Sequence, residues 1–101
     1  MPKQPGFTII YAPETIDHLN AIERKYHRLI RTTVNQQLGH TPNQMTRNRK
    51  PLDPPMPFGA TWELRFGPKN RFRVFYEVDV EALAVSVLAV GVQEGNRLLI
   101  G

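Results

Sequence analysis

Residues 62–79, WELRFGPKNRFRVFYEVD, decide the fold. Two runs rich in aromatic and β-branched residues flank Gly67-Pro68-Lys69-Asn70, a turn-forming tetrad, so the stretch reads as a β-hairpin. Alternation sorts its side chains onto two faces. Trp62, Leu64, Phe66, Phe72, Val74, Tyr76 and Val78 share one face, which is apolar enough to bury. Glu63, Arg65, Arg71, Arg73, Phe75 and Glu77 share the other, with Lys69 at the tip. Three arginines on adjacent strands suggest a surface built to hold an anion. Cross-strand ion pairs with Glu63 and Glu77 are the other use of such a face.

Upstream, Phe7–Tyr11 is strand-like, and Ala12-Pro13-Glu14 reads as a helix entrance. Ile16, Leu19, Ile22, Tyr26, Leu29, Ile30, Val34 and Leu38 then recur every three or four residues, giving one apolar helical stripe. It is long for one helix, so a break is expected near Glu23–Lys25. Gly39 and Pro42 end it. Residues 40–60 read as irregular, because Pro51, Pro54, Pro55 and Pro57 forbid a helix or a central strand. Ala84–Gly91 reads as a strand buried on both faces, joined to the hairpin by a tight connection at Val80–Leu83. The expected architecture is a single α+β domain over residues 1–101. Its two layers are an N-terminal strand and helices packed on a mainly antiparallel four-stranded sheet.

Charge is unevenly spread. The 101 residues carry a net +4, yet residues 47–73 alone hold seven basic side chains against Asp53 and Glu63. Residues 74–101 hold Arg97 against four carboxylates. A basic middle third favours a polyanionic partner. The absence of cysteine excludes disulfides and thiolate chemistry. His18, His27 and His40 lack ligand spacing, so no metal or other cofactor is expected. No apolar run reaches the length of a membrane span, and the opening Met-Pro-Lys-Gln-Pro-Gly lacks the core of a secretion signal, so a cytoplasmic protein is expected.

With these residues in place the chain resembles the RelE/ParE toxin superfamily, the toxic half of bacterial type II toxin–antitoxin pairs. The resemblance rests on the strand–helices–three strands order, on Trp62–Phe66, on Arg71–Asp79 and on Val87–Gly91. The wording of the hairpin is that of the RNA-cleaving, RelE-like branch. What the resemblance implies is a two-layer RelE-like fold and an mRNA interferase that acts on the ribosome without a metal ion. In that reaction a ribose 2′-hydroxyl attacks the adjacent phosphate. The resemblance assigns transition-state stabilisation to Arg73 and a phosphate-holding role to Arg65. Glu63 is the candidate base, although an adjacent guanidinium makes a carboxylate a weaker base. Arg71 and Lys69 grip the RNA backbone, Arg47, Arg49 and Lys50 extend the track, Phe75 stacks on a base, and Arg97 is the nearest polar group at the C-terminus. Leu98-Leu99-Ile100 supplies no general acid there. A cognate antitoxin, mRNA and the ribosome are the implied partners. A ParE-like gyrase inhibitor, or an RNA-binding relic without cleavage, stands beside this reading.

Overall fold

The computed structural model describes residues 6–101. Strand β1 (Thr8–Tyr11) leads through α1 (Glu14–Asn20) and a 3-10 turn at Arg24–Tyr26 into α2 (His27–Leu38). Then come β2 (Arg49–Pro51), β3 (Trp62–Phe66), β4 (Phe72–Asp79), β5 (Ala84–Glu94) and β6 (Arg97–Ile100). The strands form one sheet in the order β1-β5-β4-β3-β2, with β6 beside β1 on the same edge of β5. β1 is parallel to β5, and the other pairs are antiparallel. The sheet therefore has six strands, not the four expected. β2 and β6 escape sequence reading because they are short margins: Pro51 is tolerated at an edge, and both strands exist through pairing with a longer neighbour.

The helical stripe breaks where expected. Glu23 is extended (φ −52°, ψ 133°), which ends one helix and resets the phase of the next. His27 Nε2 donates to the Ile22 carbonyl at 2.9 Å and closes the corner. In α2, Ile30, Val34 and Leu38 repeat every four residues and are all buried. Ile16 and Leu29 are not part of the core. Ile16 is 63% exposed on α1, and Leu29, after the phase reset, is 41% exposed on α2.

The helices cover one face of the sheet. Ile22, Ile30, Val34 and Leu38 pack against Leu64, Phe66, Phe72, Val74, Tyr76, Val85, Val87 and Val90. Tyr76 is the pivot of this layer: it is fully buried, stacks on Trp62 at 6.1 Å, and its hydroxyl donates to the Pro42 carbonyl at 2.7 Å. Replacing it by phenylalanine leaves that carbonyl unpaired and should cost about 1–2 kcal/mol in urea unfolding. Burial pushes the Tyr76 hydroxyl well above its ordinary value of 10.0, with nearby Arg49 opposing in smaller part. Tyr11 shifts the same way, again through burial. A folded pKa above the unfolded one stabilises only while the phenol is protonated. Stability is thus full below about pH 10 and falls as pH climbs toward the folded value. Urea midpoints from about pH 9 to 12 should decline in the wild type and flatten in Tyr76→Phe.

The opposite face is only partly open. Leu52, Met56 and Ala60 fold over the sheet and bury Phe75 and Ala89, and Phe58 meets Phe75 edge-on at 6.0 Å. Backbone bonds from Leu52 to Thr61 and from Met56 to Ala60 pin the loop down. A β-bulge between Phe75 and Tyr76 pairs Phe75 with Ala89 but Tyr76 with Val87. It lets Val87 and Val90 both face the helices, which is how β5 is buried on both sides.

Candidate functional site

What remains open on that face is the end of the hairpin nearest its turn. Gly67 adopts φ +83°, and a Cβ there would lie 2.5 Å from the Phe72 ring, so the turn demands glycine. Lys69 and Asn70 follow in left-handed conformation, which presents the Asn70 carbonyl to Arg73 Nε at 2.9 Å. Arg65 and Arg73 lie directly opposite each other in the β3–β4 register. The Arg65 N–H donates away from β4, to the Asn48 carbonyl at 2.8 Å. The pair is therefore the closer, non-hydrogen-bonded type, with Cα atoms about 4.5 Å apart.

Two guanidiniums at that spacing repel. Glu63, two residues along β3 on the same face, compensates them. Its Oε1 accepts from Arg65 Nε at 2.6 Å and lies 3.8 Å from Lys50 Nζ; its Oε2 lies 3.6 Å from Arg73 Nη1. Glu63 is buried, at 5% exposure, under these three cations. Asn48 fixes the far side of Arg65 by donating to its carbonyl at 2.9 Å. Opposite Arg73 stands Gly91, whose missing side chain lets β6 close against β5, with Leu98 and Ile100 filling the space a Cβ would take. The result is a cationic corner with an internal carboxylate, with neither Nη atom of Arg65 in a hydrogen bond among the described residues.

Of the residues singled out in the sequence, the fold brings Glu63, Arg65, Arg73 and Lys50 together, with Lys69 exposed at the adjacent turn and Arg47 exposed ahead of β2. Four belong elsewhere. Arg49 is buried and no part of a surface track: its Nη1 donates to the carbonyls of Gln37 (2.7 Å) and Thr41 (2.5 Å), beneath the end of α2. Phe75 is buried under the 52–60 loop, so it has no face to offer a base. Arg71 precedes β4, where the 3-10 turn breaks the alternation. Its guanidinium lies over the rings of Tyr26 and Phe72 at 5.6 and 5.4 Å and 4.0 Å from Glu94. Arg97 alternates with Leu98 and Ile100, whose side chains lie on the Gly91 side, and so points away from Arg73. Sequence reasoning passed over Asn48, whose signal is its place between two basic residues just before an edge strand.

A second concavity lies on the helical side. Tyr11, Thr15, Ile16, Leu19, His27, Ile30 and Arg31 line a groove of 220 Å³. The Tyr11 hydroxyl is buried there without a hydrogen-bond partner among the described residues. No group of His, Asp or Glu side chains among the described residues is placed to hold a metal ion. No helix among them is long and apolar enough to cross a membrane.

These features define a class of fold. The chain is similar to a solved structure, the toxin–antitoxin complex RelBE2 from Mycobacterium tuberculosis. The TM-score is 0.61 at 22% identity, over 92% of this chain and 98% of the matched one. The sequence matches no family model and no curated protein. The likeness spans nearly the whole chain, and the fold is RelE-like, α+β, with a six-stranded sheet.

Proposed function

We propose that this chain is the toxin of a type II toxin–antitoxin pair, a metal-independent endoribonuclease that cuts mRNA on the ribosome in the bacterial cytoplasm. The observation that carries the reading is the Arg65–Arg73 pair, held side by side at the turn end of the hairpin with Lys50 beside it; the Arg65 side chain is 35% exposed and that of Arg73 13%. Guanidiniums offer fixed, parallel donors to phosphate oxygens and stay charged at neutral pH. In the reaction the 2′-hydroxyl gives its proton to solvent as its oxygen bonds to phosphorus, and the P–O5′ bond breaks as O5′ takes a proton from solvent. The products are a 2′,3′-cyclic phosphate and a 5′-hydroxyl. Arg73 stabilises the charge that builds on the phosphorane, and Arg65 holds the phosphate. Lys69 and Arg47 contact the neighbouring backbone.

The partner reading is a cognate antitoxin. The helical-side groove supports it: an apolar floor with Arg31 in its wall and Arg24 and Arg28 close by suits an amphipathic segment that carries carboxylates. Inducing the chain in bacteria and mapping transcript 5′ ends tests the enzyme. New 5′-hydroxyl ends inside translated regions, lost in the double variant Arg65→Ala/Arg73→Ala, are expected; unchanged transcripts would refute it. One observation favours a second reading, gyrase inhibition or RNA binding without cleavage. Both arginines already have a carboxylate partner in Glu63. Inhibition of purified gyrase in a supercoiling assay, with transcripts intact, would establish that branch.

A further inference from the structure

The buried carboxylate at the centre of the arginine corner has a role that its position defines. We propose that Glu63 is the resident counter-anion of a phosphodiester site. It sets the spacing of Arg65 and Arg73 in the absence of RNA and is not the proton acceptor of the reaction. This rests on reading the corner as a phosphate surface, and it makes Glu63 a positioning residue.

Three features of the geometry argue for it. First, like charges directly opposite on neighbouring strands destabilise a sheet, so the Arg65–Arg73 pair requires an anion whether or not substrate is bound. Glu63 is the one carboxylate placed to supply it among the described residues. Second, both of its oxygens face cations. Oε1 lies between Arg65 and Lys50, and Oε2 faces Arg73. At 5% exposure the carboxylate is covered, which keeps an incoming 2′-hydroxyl from reaching it. Third, the three contacts differ in kind. The Arg65 contact is a direct hydrogen bond at 2.6 Å, whereas Arg73 and Lys50 stand off at 3.6 and 3.8 Å, ion-pair distances without a hydrogen bond. Arg65 is therefore anchored to Glu63, while Lys50 and the Nη groups of Arg73, whose Nε stays on the Asn70 carbonyl, can take a phosphate without breaking a hydrogen bond to Glu63. Three cations around one carboxylate leave the corner positive, and a phosphate adds to Glu63 instead of replacing it.

The test separates this role from that of a base and from a simple structural ion pair. The purified full-length protein is titrated with a 2′-O-methyl RNA dodecamer, which cannot be cleaved because its 2′-oxygen is blocked, and binding is followed by fluorescence anisotropy at low salt. Ribosome-dependent cleavage is measured across pH in parallel. For Glu63→Gln the account expects RNA affinity to rise about fivefold, since one negative charge near the phosphate is gone. The pH–rate profile should keep the shape of the wild type.

Unchanged affinity, with cleavage down about 10²-fold or more and the acidic limb of the profile lost, would make Glu63 the base and overturn the proposal. Unchanged affinity and profile with only a lower melting temperature would also overturn it, leaving a structural ion pair. If the wild type fails to bind the dodecamer at all, the phosphate-surface reading fails and the counter-anion role falls with it. Binding that Glu63→Gln leaves no tighter sinks the counter-anion alone. Should Glu63→Gln not fold, Glu63→Asp carries the same comparison: its shorter side chain keeps the charge but releases Arg65, and affinity should rise by less, in the same direction.

Discussion

Replacing Arg73 by alanine should lower the rate of mRNA cleavage by about 10²–10³-fold, the loss expected when one preorganised donor to a developing oxyanion is removed. The effect should fall on the chemical step. Arg65, Lys50 and Lys69 remain to hold the backbone, so binding of an uncleavable RNA should weaken only modestly. Arg73→Lys separates charge from shape. A lysine restores the positive charge but not the paired donors, so it should recover part of the rate and not all of it. Folding should lose no more than about 1 kcal/mol: the Arg73 contact to Glu63 is loose at 3.6 Å, Arg65 keeps the direct bond to that carboxylate, and the lost Nε bond to the Asn70 carbonyl is exposed. The measurement is single-turnover cleavage on programmed ribosomes. A rate within about threefold of wild type would remove Arg73 from the reaction.

Arg49→Ala should do the reverse: stability falls, and RNA affinity per folded molecule stays as it was. The Arg49 guanidinium ties the end of α2 to residues 41–46, through Gln37, Thr41 and the Thr46 hydroxyl. A cation under the last turn also complements the carbonyl end of that helix. Removing it takes away two charge-assisted hydrogen bonds to part-buried carbonyls, each contributing about 1.5–3 kcal/mol, so a loss near 3 kcal/mol is expected. For a domain of this size that lowers the melting temperature by roughly 12–20 °C. Tyr76 should share the damage, since its hydroxyl holds Pro42 in the same segment. Thermal unfolding by circular dichroism checks the stability, and anisotropy at a temperature where the variant is folded checks the binding. An unshifted melting temperature with weakened RNA binding would return Arg49 to the surface track.

The contrast between Arg49 and Arg73 shows where sequence reading succeeds and where it stops. Alternation in β3 and β4 is a local property with period two, so the apolar face, the Arg65–Arg73 juxtaposition and the turn at Gly67–Asn70 could be read directly. The break near Glu23 followed from stripe length. Arg47, Arg49 and Lys50, by contrast, look alike in sequence. Only the distant end of α2, lying over this segment, makes Arg49 a buried structural residue and leaves Arg47 exposed. Phe75 was assigned to the correct face, but Leu52, Met56 and Phe58 reach it across a proline-rich loop whose path no local pattern encodes. Arg71 failed for a local reason: it stands just outside the regular strand, where a 3-10 turn swings it onto Tyr26. Glu63 was placed correctly, but whether its oxygens were open or occupied depended on Lys50 arriving from β2, a strand too short to foresee.

The salt dependence of RNA binding measures the central claim, that Arg65 and Arg73 together take backbone phosphate. Affinity of the 2′-O-methyl dodecamer is followed between about 50 and 200 mM salt for the wild type and for Arg65→Ala/Arg73→Ala, with folding of both confirmed. Each phosphate contact on a single strand contributes about 0.7 to the slope of log affinity against log salt, so the double variant should be shallower by about 1.4. Parallel lines for the two proteins would mean that neither guanidinium touches phosphate, and the account of this face would be wrong.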